Sequence, residues 1–294
     1  MCRINPRVDF AFKKLFGSEE NKDLLIDFIN SVVSEADKVK DIEIKNPYNA
    51  QNFKNDKLSI LDIKAQDSSG KWFNIEMQII DQEYFDRRAL YYWAKVYTGQ
   101  LVSGINYDNL KKTICINILN FNCIEEKDYH NIYKLKNIKT NKEYLDHAEI
   151  HFIELEKYDE DMNSMLDRWV NFLKKAEMYS KNKLPKELEE IPTIKKALEV
   201  LDGMSFNEEE RESYEARLKW LRDEEMALKT AEKRGEQRGR EEGIKEGIKE
   251  GIKEGEKQKA LEIAKELLEL LDNQTISKKT GLTIEDVENL RKEK

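Results

Sequence analysis

The sequence has few cysteine, histidine and proline residues, and its apolar residues never form a long run. Three cysteines and three histidines in 294 residues, without metal-ligand spacing, argue against a zinc site and a disulfide framework. No segment approaches the roughly 18 consecutive apolar residues that a membrane span needs, and the start of the chain runs into the charged residues Asp9, Lys13 and Lys14 instead of an apolar signal region. We therefore expect a cytoplasmic protein with reduced cysteines and no membrane span.

Charged residues are abundant, at 37% of the chain, but acids exceed bases. The 59 Asp and Glu residues against 51 Lys and Arg residues give a net charge of −8. A protein of this charge does not attract nucleic acid from a distance, because attraction to phosphate needs clustered Lys and Arg. The composition thus weakens a DNA-binding function without excluding it, since a local basic surface would suffice.

The apolar pattern divides the first 175 residues into helices and strands. Apolar residues recur at three- and four-residue spacing over 8–33 and again over 82–104, which predicts amphipathic helices. β-branched and aromatic runs predict strands at 42–45, 58–65, 72–80, 113–121, 129–136 and 148–155. This order predicts an α/β fold with a mixed β-sheet core flanked by helices.

Beyond this region the sequence has no strand pattern and predicts a long helical C-terminal extension. The predicted organisation is a core at 1–175, a helical extension at 176–232, a Gly-rich repeat helix or linker at 233–257, and a small helix-turn-helix-like module at 258–294. The second helix of that module begins with acidic residues, so whether the module reads DNA stays open.

The Gly-rich segment contains half of the twelve glycines in the chain, spaced every four residues. They are Gly235, Gly239, Gly243, Gly247, Gly251 and Gly255. Each glycine inside a helix costs about 1 kcal/mol relative to alanine, so a lone helix here would fray. A stripe of small residues lets a second helix approach closely, and we therefore expect a homo-oligomer formed through the C-terminal helices. A partly disordered, charged linker is the alternative.

Two of the predicted strands, 58–65 and 72–80, are separated by a turn composition and predict a β-hairpin. With its turn centred near residue 69, Asp62 and Glu76 become cross-strand neighbours, with Cβ atoms about 4.5–5.5 Å apart. Two such carboxylates repel each other unless a cation bridges them or one is protonated, and Mg²⁺ prefers oxygen ligands of this kind. The alternative is that both acids merely cover the solvent side of the hairpin.

The surroundings of this hairpin resemble the PD-(D/E)xK nucleases. Asp62 is followed, after thirteen residues, by Glu76, Met77 and Gln78, and a helix with the sequence DFAFKKLFG at 9–17 precedes them. The chain is similar in particular to the Rpn branch, the recombination-promoting nucleases and transposases. Further segments carry this similarity: 75–78, 87–93, 101–107, 151–155 and the Gly-rich tail.

The resemblance implies a restriction-endonuclease-like fold and Mg²⁺-dependent DNA cleavage, with Mn²⁺ as a second candidate ion. It implies that Asp62 and Glu76 bind the metal and that Gln78 is the third catalytic residue. Leu61 occupies the place of the motif's proline, and Gln78 that of its usual lysine. Because an amide carries no charge, Gln78 would orient water or phosphate by hydrogen bonds. Roles in recombination, mobile elements or phage defence, and an inhibitory partner, follow as expectations.

The predicted helix at 82–104 supplies candidate DNA contacts. One face carries the apolar residues Leu90, Trp93, Ala94, Tyr97 and Leu101. The opposite face carries Arg88, Tyr91, Tyr92 and Lys95, which are suited to phosphate contacts. A solvated helix face without function is the alternative.

Two other functions are compatible with this sequence. One is a catalytically inactive DNA- or protein-binding assembly factor that acts through its C-terminal helices. The other is an RNA-directed nuclease of the same fold, which the sequence does not distinguish from a DNA-directed one.

Overall fold

A computed structural model describes residues 4–46, 48–49, 59–60, 62–81, 83–101, 104, 106–180, 183–204 and 206–292. The chain folds into two compact units, Met1–Glu224 and Glu225–Lys294. The predicted four-segment organisation stays a prediction.

The first unit is built on a mixed β-sheet. Its strands in the described chain are β1 (Ile42–Lys45), β2 (Tyr48–Asn49), β3 (Ser59–Ile60), β4 (Ile63–Asp67), β5 (Trp72–Gln78), β6 (Thr113–Leu119), β7 (His130–Lys134) and β8 (Ala148–Glu154). Among the described residues, six strands form the main sheet in the order β1-β4-β5-β6-β8-β7, and β2 pairs with β3 separately. The central pairs β5–β6 and β6–β8 are parallel and the others antiparallel.

Helices cover both faces of this sheet. The α-helices in the described chain are α1 (Asp9–Phe16), α2 (Lys22–Val32), α3 (Phe85–Thr98), α4 (Met165–Lys175), α5 (Lys186–Glu189), α6 (Pro192–Gly203), α7 (Glu208–Leu267), α8 (Asn273–Thr280) and α9 (Ile284–Lys292). This arrangement confirms the predicted fold class, a restriction-endonuclease-like mixed sheet flanked by helices and followed by a long helical extension.

The main core lies between one face of the sheet and the helices α1, α2 and α4. Aromatic rings from these helices pack edge to face or tilted, with centroids of Phe16 and Trp169 5.5 Å apart and those of Phe16 and Phe28 5.6 Å apart. On the other face, Phe85 and Ala89 of α3 pack against Leu119 and Phe152. Every residue of β6 is therefore buried, as expected for a central strand that is covered on both faces.

The predicted hairpin at β4 and β5 is confirmed, and its register is the expected one. Ile63 pairs with Ile75 and Gln66 with Trp72, which centres the turn on residue 69. Asp67 accepts hydrogen bonds from the backbone N–H groups of Ser69 and Lys71, and Gly70 adopts a φ of 92° that favours glycine.

The predicted strand at 58–65 is wrong as one continuous element. Its first part, β3, pairs with β2, whereas β4 begins at Ile63 and pairs with β1 and β5. Leu58 and Leu61 lie outside the described residues. The alternating apolar pattern runs through both parts, so it gave no sign that the chain changes partner before Asp62.

The second unit contains the end of α7 together with α8 and α9. A small apolar cluster joins them: Ala264, Leu268, Ile276, Leu282, Val287 and Leu290. A capping box lies at the start of α9, since the backbone N–H groups of Thr283 and Asp286 each donate to the other residue's side chain at 3.1 Å. In the described part of the chain, no helix combines the length and the apolar character needed to cross a membrane.

Candidate active site

The hairpin register places Asp62 directly beside Glu76. The backbone N–H of Asp62 lies 3.4 Å from Oε1 of Glu76, and the backbone N–H of Met77 donates to Oδ2 of Asp62 at 2.9 Å. Each acid is thus hydrogen-bonded to the strand that carries the other. The two carboxylates therefore lie close together in the structure, as the sequence predicts.

Glu76 is buried and Asp62 is largely buried, which overturns the alternative of a solvent-facing pair. Glu76 is 5% exposed, and the Asp62 side chain is 14% exposed. The face of β5 that carries Glu76 lies beneath α3, so the alternation of the strand points this side chain into the protein. Burying two neighbouring carboxylates is unfavourable unless protons or cations compensate their charge.

The electrostatics of the site reflect that cost. Burial and, next, the charge of Asp62 raise the pKa of Glu76 to about 8. Burial also raises the pKa of Asp62, although the ammonium group of Lys13 opposes this. Lys13 Nζ lies 3.0 Å from Asp62 Oδ1. The pair therefore holds a proton near neutral pH that a more strongly bound cation would displace.

Gln78 is the last residue of β5, and its side chain points toward the residues that follow it. Its Nε2 donates to the carbonyl oxygen of Ile80 at 3.1 Å, and its backbone carbonyl accepts from Asn120 at 2.9 Å. In the described residues it makes no hydrogen bond to either acid. The structure thus brings together Asp62 and Glu76, with Gln78 at the edge of the pair.

A comparison with protein families gives the context of this geometry. The family model described as PD-(D/E)XK nuclease family transposase matches residues 6–231. The chain belongs to this family. A search of curated proteins and a search of solved structures each return no match. Membership in the PD-(D/E)XK nuclease family transposases supports a nuclease-type function and confirms the predicted resemblance.

In this PD-(D/E)XK family member, buried amides extend the site across the sheet. Asn74 and Asn117 flank Glu76, one on the same strand and the other as its register partner on β6. The Asn74 amide lies close enough to Glu76 to lower its raised pKa, and among the described residues Oδ1 of Asn117 has no hydrogen-bond partner. Buried amides of this kind accommodate ordered water or ligand atoms. Sequence analysis missed Asn117, although a polar residue inside a buried apolar strand is a usable signal.

The candidate DNA-binding residues occupy two different environments on α3. The guanidinium of Arg88 donates to the Tyr92 hydroxyl at 2.9 Å, and its charge lowers the raised pKa of Glu76. Tyr91 is exposed, with Lys95 Nζ 5.7 Å from its ring centroid.

The predicted apolar face of this helix is wrong in one respect, because Leu90 is 55% exposed. The helix packs through Phe85, Ala89 and Val96, which share one face. Arg88 and Tyr92 lie close enough to Glu76 on the neighbouring strand β5 to interact with it electrostatically.

Helix α7 adds residues that sequence analysis missed entirely. Arg217 Nε lies 3.4 Å from Oδ1 of Asp9, and its guanidinium stacks 4.3 Å from the ring centroid of Trp220. These three residues line a narrow cleft together with Gln78 and Arg7. Local patterns give no signal for such a contact, because it joins distant parts of the chain.

The donor set of this PD-(D/E)XK site fits a hard divalent cation. Asp62 and Glu76 offer carboxylate oxygens, and burial raises the pKa of both, so a bound cation would compensate the cost of ionising them here. Among the described residues, no group of three or more His, Cys, Asp or Glu side chains is placed to hold a metal. Two carboxylates with open positions for water and phosphate match Mg²⁺ or Mn²⁺ better than Zn²⁺.

Proposed function

We propose that this protein is a cytoplasmic, Mg²⁺-dependent endonuclease that hydrolyses phosphodiester bonds in DNA, with Mn²⁺ as a substitute ion. Asp62 and Glu76 hold the metal, and Gln78 is the third catalytic residue. The observation that carries the proposal is the pairing of the two acids across the hairpin: Glu76 accepts from the backbone N–H of Asp62, and Asp62 accepts from that of Met77, in a chain that matches the nuclease family.

The chemistry follows from the positions of these groups. Asp62 and Glu76 would hold a divalent ion, which when bound would lower the pKa of water and neutralise charge on the scissile phosphate. The Met77 N–H fixes the Asp62 carboxylate, so little reorganisation is needed when substrate arrives. Gln78 can exchange its bond with Ile80 for one to water or to a phosphate oxygen.

We assign DNA contacts to Arg88, Tyr91, Tyr92 and Lys95. Arg88 lies close enough to Glu76 to affect its pKa, so a phosphate bound there would be near the metal ligands. Tyr91 and Lys95 are stacked together further along the helix, where a flanking phosphate could bind. Roles in recombination, mobile elements or phage defence, and control by an inhibitory partner, extend the same proposal.

A second candidate is a catalytically inactive assembly factor that acts through its C-terminal helices. It is favoured by the exposed isoleucines Ile244, Ile248 and Ile252, which recur every four residues on α7. An apolar stripe on an otherwise charged helix is typical of a surface that binds a partner helix.

Plasmid cleavage tests the proposal. Supercoiled DNA is incubated with the wild-type protein in Mg²⁺ or in EDTA, and with the variants Asp62→Asn and Glu43→Gln. Glu43 is an acid on edge strand β1 and serves as the matched control. We expect nicking by the wild type and by Glu43→Gln in Mg²⁺ only, and none by Asp62→Asn. Equal cutting by Asp62→Asn refutes the assigned site, and metal-independent DNA binding without cutting favours the assembly factor.

Single- and double-stranded DNA and RNA substrates distinguish a DNA-directed from an RNA-directed enzyme.

A further inference from the structure

Lys13 is an ammonium group held at the solvent side of the two acids. Its Nζ lies 3.0 Å from Asp62 Oδ1, and its side chain is 39% exposed whereas that of Asp62 is 14% exposed. A ligand that approaches the carboxylates from solvent therefore meets this ammonium group beside them.

The position of Lys13 is set by the core and not by the ion pair alone. Three neighbours on α1, Phe12, Leu15 and Phe16, are fully buried and fix the helix against the sheet. The adjacent Lys14 leaves the helix in another direction and contacts Glu210 at 3.1 Å. Two consecutive lysines thus have separate partners, of which only Asp62 belongs to the proposed site.

The site needs a positively charged group to bind the substrate phosphate. Strand β5, which carries Glu76 and Gln78, does not supply one. Hydrolysis of a phosphodiester develops negative charge on the phosphate oxygens, next to two acids that are themselves negative when ionised. Gln78 is neutral, and its amide is bonded to Ile80. A lysine ammonium on a flexible stem can move from a carboxylate to a phosphate oxygen with a small rotation of its side chain.

We propose that Lys13 is a catalytic residue of this nuclease: its ammonium group binds the scissile phosphate and stabilises the charge that develops there. In the absence of substrate, Asp62 holds this group in place. The inference rests on the proposed function, because it assigns the phosphate-binding group of the same site.

DNA binding without metal tests this role independently of catalysis. In the Asp62→Asn background, Lys13 has lost its anionic partner, so a phosphate no longer competes with a carboxylate for it. Fluorescence anisotropy of a labelled DNA duplex in EDTA then compares Asp62→Asn with Asp62→Asn/Lys13→Met and Asp62→Asn/Lys14→Met. We expect Lys13→Met to weaken binding about three- to tenfold and to reduce the salt-dependence slope by about 1, as the loss of one phosphate contact does. Lys14→Met should change neither quantity. Equal binding by the two lysine variants overturns the proposal.

Cleavage provides the second readout. Lys13→Met should lower kcat about 100-fold, the typical loss for one transition-state donor, while Lys14→Met stays near wild type. Lys13→Arg should retain part of the rate. Adding Gln78→Lys to Lys13→Met returns a cation to the site and should restore activity at least tenfold, which a mere folding defect would not allow.

The outcomes separate the two proposals. If the wild type cuts DNA and Lys13→Met cuts it at the same rate, the role of Lys13 is overturned and the nuclease function is left intact. Absence of cutting by the wild type on every substrate overturns the nuclease function and, with it, the role of Lys13. If Lys13→Met has lost its thermal unfolding transition, Lys13→Gln replaces it. Failure of Gln78→Lys to raise the cleavage rate of the folded Lys13 variant also counts against the proposal.

Discussion

The backbone N–H of Asp62 points at the carboxylate of Glu76, 3.4 Å from its Oε1. The reverse contact is made by Met77, whose N–H donates to Asp62. The two acids are therefore positioned by hydrogen bonds across the hairpin, between β5 and the residue that precedes β4. This relationship concentrates charge that the fold tolerates only through protonation or a bound cation, and the predictions below follow from it.

The first prediction concerns stability and pH. Burial and Asp62 raise the pKa of Glu76 from 4.5 to about 8, so the folded state holds a proton that the unfolded state has released. Stability from this group is complete below pH 4.5 and is lost as the pH rises to about 8. In EDTA, Glu76→Gln should therefore be more stable than the wild type at pH 8.5, by about 2–4 kcal/mol, and similar to it at pH 4.5.

Urea unfolding at several pH values measures this difference, and comparison with Glu76→Gln removes the contribution of the other titrating groups. If the free energies of unfolding of the wild type and of Glu76→Gln differ by the same amount at every pH tested, Glu76 has an ordinary pKa.

The second prediction concerns Arg88. Its positive charge opposes the raised pKa of Glu76, so Arg88→Met should shift the pH dependence of cleavage toward higher pH. The same change should weaken DNA binding about three- to tenfold through loss of a charge-assisted phosphate contact. Leu90→Ala is the matched control on the exposed side of α3. A pH profile that does not move would separate Arg88 from the site.

The hairpin and its register were predictable because they depend on local features. The turn residues at 66–71 set the centre of the hairpin, and the two-residue period of the strands then fixes which side chains are neighbours. Asp62 and Glu76 could be paired on this basis alone.

The contacts between distant segments were not predictable in this way. The ion pairs of Lys13 with Asp62 and of Arg217 with Asp9 depend on how α1 and α7 pack against the sheet. The orientation of α3 also escaped sequence analysis, because aromatic and long side chains make both of its faces suitable for packing. The helical period of a sequence shows which residues share a face. It does not identify the buried face when both faces carry aromatic or long side chains.

The third prediction concerns a buried charge cluster at the other end of the sheet. Lys112 Nζ lies within 2.8 Å of Asp37, Asp146 and Glu149, and Asp37 and Glu149 are almost fully buried. Lys112→Met removes the buried cation that these carboxylates share, which leaves Asp37 with Lys71 and Glu149 with Lys134, and should lower the free energy of unfolding by about 3–5 kcal/mol. Chemical denaturation measures the loss, with Lys196→Met, an exposed partner of Asp23, as the control. A loss below about 1 kcal/mol, typical of a surface pair, would contradict this role.

The fourth prediction concerns the glycines of α7. A Cβ added at Gly243, Gly247 or Gly251 meets no atom within 4 Å in the single chain, so alanine at these positions should raise helicity. If a second copy packs closely on this stripe, the same alanines should weaken self-association. We expect the wild type to be oligomeric by light scattering, and the triple Gly→Ala variant to dissociate at higher concentration while its circular dichroism increases.

Alanine in place of Lys245, Lys249 and Lys253, on the same turns of the helix, is the control and should leave the oligomer intact. A monomeric wild type, or a glycine variant that associates as the wild type does, would contradict the proposed contact.

The most direct measurement for the paired acids is titration calorimetry of Mg²⁺ binding at pH 7 in two buffers of different ionisation enthalpy. We predict one site per chain that requires Asp62 and Glu76, and release of about one proton as the ion displaces the one held by Glu76. Glu76→Gln should abolish both signals, whereas Glu43→Gln should preserve them. Binding by Glu76→Gln with wild-type affinity, or no binding by the wild type with or without DNA, would contradict the metal site on which the proposed function depends.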